Sequence, residues 1–224
     1  MSQMPWSGTM NEILARIRTD PVGALRGVLL DAPATDIAHD DYDLHPELRP
    51  AAQGQAIAAA VLIPVIARSE PTVLFTQRTT NLARHSGQVS FPGGRRDPGD
   101  LSPLETALRE TKEEIGIDPA FISVVGYLPR YRTGTGYDIS PVVGVLAPNF
   151  TLAPNPDEVA EIFEAPLAFF LDPANRRVET RIWGARERSF YVFTHDHHTI
   201  WGATAAILVD FAARLTSHDV IEAR

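Results

Sequence analysis

Apolar residues recur along the 224-residue chain with two different periods, and the change from one to the other marks out its elements. Over residues 10–19, Ile13, Leu14 and Ile17 share one face of a 3.6-residue repeat, which predicts a short amphipathic helix. Residues 31–50 have no period and are rich in Asp, Pro and His, so they read as an irregular, mostly solvated connector, mobile and open to proteolysis. From residue 56 the pattern turns β-like. Residues 57–68 and 72–78 are β-rich runs separated by the turn signal Ser69, Glu70 and Pro71. Residues 89–91 form a short apolar piece before Pro92, Gly93 and Gly94; 121–128, 140–146 and 158–163 predict further strands. Residues 177–183 and 189–194 predict a hairpin, and helical patterns cover 103–116 and 202–215. Strands with interspersed helices and no regular βαβ alternation predict an α+β fold or α/β/α sandwich rather than a doubly wound sheet. The expected division is an N-terminal helix with an irregular extension over 1–50 and one domain over 51–224.

Composition narrows the function classes. At 44% hydrophobic and 21% charged residues the chain is neither wholly disordered nor a rod. Twenty Lys and Arg against twenty-eight Asp and Glu leave a net charge of −8, which argues against a general nucleic-acid binder. The absence of cysteine removes disulfides, thiolate metal sites and cysteine nucleophiles together. Residues 1–9 hold neither a cationic side chain nor an apolar run, unlike a secretory signal. The longest apolar run, residues 56–67 interrupted by Pro64, is well short of the ~20 residues a spanning helix needs. A soluble, cytoplasmic protein without membrane or nucleic-acid partners is expected.

Chemistry concentrates in residues 93–117. Ser102 is placed to cap a helix, Pro103 to occupy its first position, Glu105 to complete a capping box and Gly116 to end it. At about 100° per residue, Glu110, Glu114 and Glu113 share an arc of about 100°. Leu104, Ala107, Leu108, Thr111 and Ile115 form the buried face, and Lys112 points away from the carboxylates. Like charges three and four residues apart cost roughly 0.2–0.5 kcal/mol each, so such a cluster is compensated by solvent or by a cation. An all-oxygen donor set suits Mg²⁺ or Mn²⁺.

Residues 94–117 resemble the Nudix box, G-x5-E-x7-R-E-U-x-E-E-x-G-U with U apolar. Arg109, Glu110, Glu113, Glu114, Gly116 and Ile117 match at the family spacing. Asp100 stands in the loop position where the family has Glu, with eight residues rather than seven between it and Arg109, and Thr111 occupies an apolar slot. Residues 74–94 are similar to the segment that marks the coenzyme A pyrophosphatases of that group: Leu74, Thr76, Arg78, Gly87, Phe91, Pro92, Gly93 and Gly94 match, while Ala83 holds the usual Arg place and Arg84 follows it. Stretches at 135–144, 154–159 and 200–205 extend the likeness over roughly residues 57–215.

The resemblance implies a Nudix-type mixed sheet between helices and metal-dependent hydrolysis of a nucleoside diphosphate-linked compound. It assigns Glu110, Glu114 and Glu113 to Mg²⁺ or Mn²⁺, with Glu113 a further ligand or the residue that orients or deprotonates water. Arg109 would hold a glutamate in place. Arg78, Arg84, Arg95 and Arg96 are candidates for substrate phosphates, and the Gly93–Gly94 turn for close backbone approach. The implied substrate is coenzyme A, split to 3′,5′-ADP and 4′-phosphopantetheine. Hydrolysis of ADP-ribose, NADH or a nucleotide sugar is the sibling reading, and a non-catalytic nucleotide-binding module the reading of another class. A homodimer is a candidate assembly. The related isoprenoid diphosphate isomerases need a catalytic Cys, which this chain lacks.

Other constellations carry less. His195, His197 and His198 suggest zinc but have no outlying ligand at a convincing spacing, and read as solvated turn residues. Gly134 and Gly136 begin a dinucleotide fingerprint that Ile139 breaks. Glu158 and Glu161 are candidates for one extra carboxylate facing the helix.

Overall fold

The computed structural model describes residues 9–50, 54–80, 87–183 and 186–216. In chain order they form α1 (Met10–Thr19), α2 (Pro21–Arg26), β1 (Ile37–Asp40), β2 (Ile57–Ile66), β3 (Thr72–Arg78), β4 (Val89–Ser90), β5 (Gly93–Arg95) and α3 (Pro103–Ile115). There follow β6 (Ile122–Tyr127), β7 (Arg130–Arg132), β8 (Tyr137–Leu146), β9 (Val159–Pro166), α4 (Leu167–Leu171), β10 (Arg176–Trp183), β11 (Arg186–His195), β12 (His198–Trp201) and α5 (Ala203–Thr216). The principal sheet is mixed, in the order β1-β7-β8-β2-β3-β4, with β5 also on β2, β6 on β8 and β9 on β3. A second, antiparallel sheet runs β10-β11-β12.

Strand β2 shows why the sheet lies between helices. Successive side chains of a strand point to opposite faces. Ala60, Leu62 and Ile66 join Leu74, Val142 and Leu146 beneath Ala107 and Ile115 of α3. Ile63 and Val65 join Val73, Phe75, Val143 and Val145 in the other layer, against α1, α4 and α5. An apolar run with no polar alternation is what a strand buried on both faces requires. β2 pairs with β8 in parallel, in unbroken register from Ile57↔Tyr137 to Ile66↔Leu146. Pro64 is tolerated here for a local reason. The other edge of β2 is taken by β5 at residues 59–61 and by β3 at 65–66. The Leu62 N–H donates to the Pro92 carbonyl on that edge, so Pro64 falls in the gap between the two ladders.

The predicted helices at 10–19, 103–116 and 202–215 are present almost to the residue, with Ile13, Leu14 and Ile17 buried as expected. The predicted hairpin forms between β10 and β11. Residues 31–50 depart from the solvated-connector reading. β1 lies parallel to β7 at the sheet edge, and Asp40 and Tyr42 are buried. Arg49 pairs with Asp40 at 2.7 Å and Asp43 at 3.1 Å, and the Tyr131 hydroxyl donates to Asp41 at 2.7 Å. His39 lies between Asp43 at 2.9 Å and Asp210 of α5 at 3.5 Å. The segment is fastened by ion pairs and one edge ladder, neither of which produces an apolar period. The histidine-rich turn also departs from expectation. His197 is exposed, but His198 is buried and stacked on Phe163. Among the described residues no helix is long and apolar enough to cross a membrane.

Candidate active site

Helix α3 carries the site, and its ends are set locally. Ser102 accepts the Glu105 N–H at 3.2 Å, and Pro103 opens the first turn. The Glu105 carboxylate reaches back to the Leu101 N–H at 2.7 Å, one residue before the cap, so the expected reciprocal box closes on a different donor. Gly116 ends the helix in the left-handed region at φ 77°. Thr111 fits the buried face because its hydroxyl donates to the Ala107 carbonyl at 2.6 Å.

The three glutamates of the exposed arc meet different surroundings. Glu114 is almost fully buried. It accepts the Gly93 N–H at 3.1 Å, and the Arg78 guanidinium from β3 stands 3.5 Å away. Burial pushes its carboxyl up to about 7; the Gly93 N–H and Arg78 oppose the rise, and Glu110 and Glu158 add to it. Glu110 lies with its carboxylate against Gly94, where an added Cβ would stand 2.6 Å from it. Its carboxyl is also raised, first by burial, with Arg109 opposing and Glu113 and Glu158 reinforcing. Glu113 is largely exposed and bound to Arg109 at 2.8 Å. Asp157 and Glu158 close onto Thr79, whose hydroxyl donates to the Asp157 carbonyl at 3.1 Å and whose N–H donates to the Glu158 carbonyl at 3.0 Å.

Arg109 is the junction of this region. Its Nε and Nη2 fork onto Asp100 at 3.1 and 2.9 Å, its Nη1 reaches Glu110 at 3.0 Å and Glu113 at 2.8 Å, and its Nη2 donates to the Arg95 carbonyl at 3.1 Å. Asp100 is buried and also accepts from the Thr106 hydroxyl and the Asp97 N–H. Arg109, followed by those two donors, holds its carboxyl well below the ordinary carboxylate range. Despite the extra loop residue, Asp100 therefore reaches the arginine of the box. The sequence pattern undervalued this residue, and Thr106, six positions on, was the signal for it. Arg109→Ala is expected to cost about 2–3 kcal/mol, less than a fully buried pair because the guanidinium is a quarter exposed. Urea unfolding at neutral pH would check this, and a midpoint unchanged from the parent would contradict it.

The remaining predicted residues are distributed unevenly. Arg78, Gly93 and Gly94 meet the glutamates directly. Arg96 is turned onto its own loop, donating to the Asp100 carbonyl at 2.9 and 3.0 Å, and the Arg95 side chain is exposed. Both line an open cleft of about 650 Å³ with Gln55, Ile57, Asp97 and Asp100. Arg84 and Ala83 lie outside the described residues.

The donor set fits a hard divalent cation. Glu110 and Glu114 are carboxylates of one helix face, both raised first by burial, with Glu158 adding to each and the Glu110 charge adding to Glu114. A divalent cation between them removes that repulsion and replaces lost hydration, and oxygen-only donors suit Mg²⁺ or Mn²⁺.

The NUDIX domain family model matches residues 56–183. A protein called "Uncharacterized Nudix hydrolase NudL" from Pectobacterium atrosepticum is 40% identical over 193 residues, covering 82% of this chain and 98% of that one. Its namesake from Citrobacter koseri is 40% identical over 179 residues, covering 75% and 89%. Among solved structures, a C. elegans Ap4A hydrolase binary complex is similar at 20% identity and a TM-score of 0.42, over 50% of this chain and 80% of that one.

Proposed function

The chain belongs to the NUDIX domain family and is a Nudix hydrolase, and from that premise we propose that it hydrolyses the diphosphate of coenzyme A. The observation that carries the reading is the run from Leu74 to Gly94, similar to the marker segment of coenzyme A pyrophosphatases, with its Arg78 set against Glu114. In the reaction, water adds to one phosphorus and the bridging P–O bond breaks, giving 3′,5′-ADP and 4′-phosphopantetheine. A divalent cation, when bound, lowers the pKa of water and neutralises charge developing on the phosphoryl oxygens.

This chain's residues have separable parts. Glu110 and Glu114 are the cation's carboxylates, Glu114 oriented by the Gly93 N–H and Glu110 by Arg109. Glu113 is exposed beside them and is the group free to turn toward a water and accept its proton, once released from Arg109. Arg109 is a positioning residue, since each of its bonds goes to this chain. Arg78 is placed for a substrate phosphate: its Nε is buried and has no hydrogen-bond partner among the described residues. Arg95 and Arg96 border the cleft through which a second phosphate could be met. The intact set of three box glutamates disfavours the reading as a non-catalytic module. Ala83 in the usual Arg position favours keeping an ADP-ribose, NADH or nucleotide-sugar hydrolase as the second reading.

The discriminating experiment compares kcat/KM for coenzyme A, dephospho-coenzyme A, ADP-ribose and NADH with Mg²⁺ or Mn²⁺, products identified by mass. A charged hydrogen bond to the 3′-phosphate is worth about 1.5–3 kcal/mol, or roughly 10- to 150-fold. Dephospho-coenzyme A is therefore expected to be poorer by that factor, and Arg84→Ala to shrink the difference. Equal values for the two substrates would remove the 3′-phosphate contact. A preference for ADP-ribose would move the enzyme to the second reading.

A further inference from the structure

The β11–β12 hairpin and β9 bring together three groups that the chain separates by up to 37 positions. Glu161 lies on β9, opposite Gln77 of β3. Asp196 and His197 form the two-residue turn between β11 and β12, and His198 begins β12 opposite His195. Asp196 takes a positive φ of 52°, the geometry a two-residue hairpin loop needs at its first position. The result places His197 and His198 side by side, rings 3.9 Å apart, against the Glu161 carboxylate.

From this arrangement we infer that Glu161, His197 and His198 bind a borderline divalent cation, zinc being the best fit. The His198 Nε2 stands 3.3 Å and the His197 Nε2 3.8 Å from the same Glu161 oxygen, and the three donor atoms lie within 4.8 Å of one another. Donors about 2.0–2.1 Å from a tetrahedral zinc stand about 3.3 Å apart, so little movement is needed for all three to ligate. Mixed imidazole and carboxylate donors suit zinc, in contrast to the all-oxygen set on α3.

A second observation points to a ligand. His198 is 6% exposed, and its Nε2 is inaccessible to water with no hydrogen-bond partner among the described residues. Leaving a buried polar nitrogen unsatisfied costs free energy, and few groups in a native structure are left so. The ring is held by stacking on Phe163, centroids 3.5 Å apart and planes within 7°. That packing fixes the ring with Nε2 3.3 Å from the Glu161 carboxylate but outside hydrogen-bond geometry. The exposed side, His197 and Glu161, provides the entry path. Three protein donors leave a fourth position open, as in zinc sites that retain a water.

The site is separate from the carboxylates of α3. Glu161 is three residues beyond Glu158, about 10 Å along an extended chain. It joins the β10-β11-β12 sheet to the principal sheet, so a bound cation would cross-link the two. This inference does not depend on the proposed substrate.

The test uses the full chain carrying Glu110→Gln and Glu114→Gln, which removes the α3 carboxylates, and titrates zinc chloride against a chromophoric chelator. One equivalent of zinc is expected to bind. Glu161→Gln and His197→Ala, both at exposed positions, are each expected to weaken binding by tenfold or more, since even loss of a ligand's supporting partner costs about 10–100-fold. Cobalt(II) in the same protein is expected to show visible ligand-field bands of a tetrahedral site, lost in the same two variants. His198→Gln is expected to abolish binding, with circular dichroism reporting whether the hairpin remains folded. No zinc bound in the α3 double variant, or unchanged affinity in Glu161→Gln and His197→Ala, would overturn the inference.

Discussion

Replacing Glu114 by Gln is expected to lower kcat at least ~100-fold, about 2.7 kcal/mol of barrier, while making the metal-free protein more stable above neutral pH. The two effects share one cause. The Glu114 carboxyl is buried among Glu110 and Glu158, with only the Gly93 N–H and Arg78 to offset them, and titrates at about 7 instead of 4.5. The native chain therefore keeps a proton that the unfolded chain releases above 4.5. The Glu114 contribution to metal-free stability falls as pH rises from about 4.5 to about 7, by an amount on the order of 3 kcal/mol, and levels off above that range. Glu110, raised in the same direction, adds to the fall. Gln keeps the shape and the acceptor for Gly93 but has no charge to desolvate. Urea midpoints at pH 5 and pH 8 with chelator present would show the parent losing more stability than the variant, since His39, raised to about 9 by Asp210 and Asp43, and Glu110 lower both proteins alike. Near-normal turnover in the variant would remove Glu114 from the cation site, and a flat pH profile in the parent would remove the buried-charge argument.

The second large effect separates two adjacent glycines. Gly93→Ala is expected to cost roughly 3–5 kcal/mol and leave little folded enzyme, because the change combines backbone strain with a clash. Gly93 has a φ of 151°, and an added Cβ would stand 2.4 Å from the Ala60 carbonyl and 2.6 Å from the Val61 Cα, both backbone atoms of the central strand. At Gly94 the nearest atoms to an added Cβ all belong to the Glu110 carboxylate, from 2.6 Å, and that side chain can swing aside. Gly94→Ala is expected to fold with a melting temperature near the parent's and to lose about tenfold or more in kcat, since displacing by about 1 Å a carboxylate proposed to hold the cation is costly. Thermal melts and steady-state rates on both variants distinguish the cases. A stable Gly93→Ala, or a fully active Gly94→Ala, would contradict this division of labour within one turn.

The legible parts of the chain were those whose cause is local. Helix α3 announces itself through Ser102, Pro103 and Gly116, and its 3.6-residue period places Glu110, Glu113 and Glu114 on one arc. α1 is legible for the same reason in Ile13, Leu14 and Ile17. Strand β2 is legible as a long apolar run, although the tolerance of Pro64 depends on where β5 ends and β3 begins. Short pieces such as α2, β5, β7, α4 and β12 span three to six residues and are too brief for any period to show.

Within the site, periodicity puts three glutamates on a common face without distinguishing them. Only the packing of β5 against α3 buries Glu114, props Glu110 on Gly94 and leaves Glu113 to solvent. Asp100 reaches Arg109 because a loop one residue longer can still fold back onto its own helix, a closure that spacing alone does not reveal. The pairing of Asp40 with Arg49, and the approach of Glu161 to His198, bring together groups whose sequence neighbours carry no sign of one another. The amino-acid sequence by itself determined the elements, the apolar faces and the carboxylate-bearing helix, because these follow from interactions a few residues apart. The tertiary structure alone decided which carboxylates lose water and which histidine nitrogen lacks a hydrogen bond among the described residues, because burial and charge proximity are set by whatever distant segment the fold lays against each group.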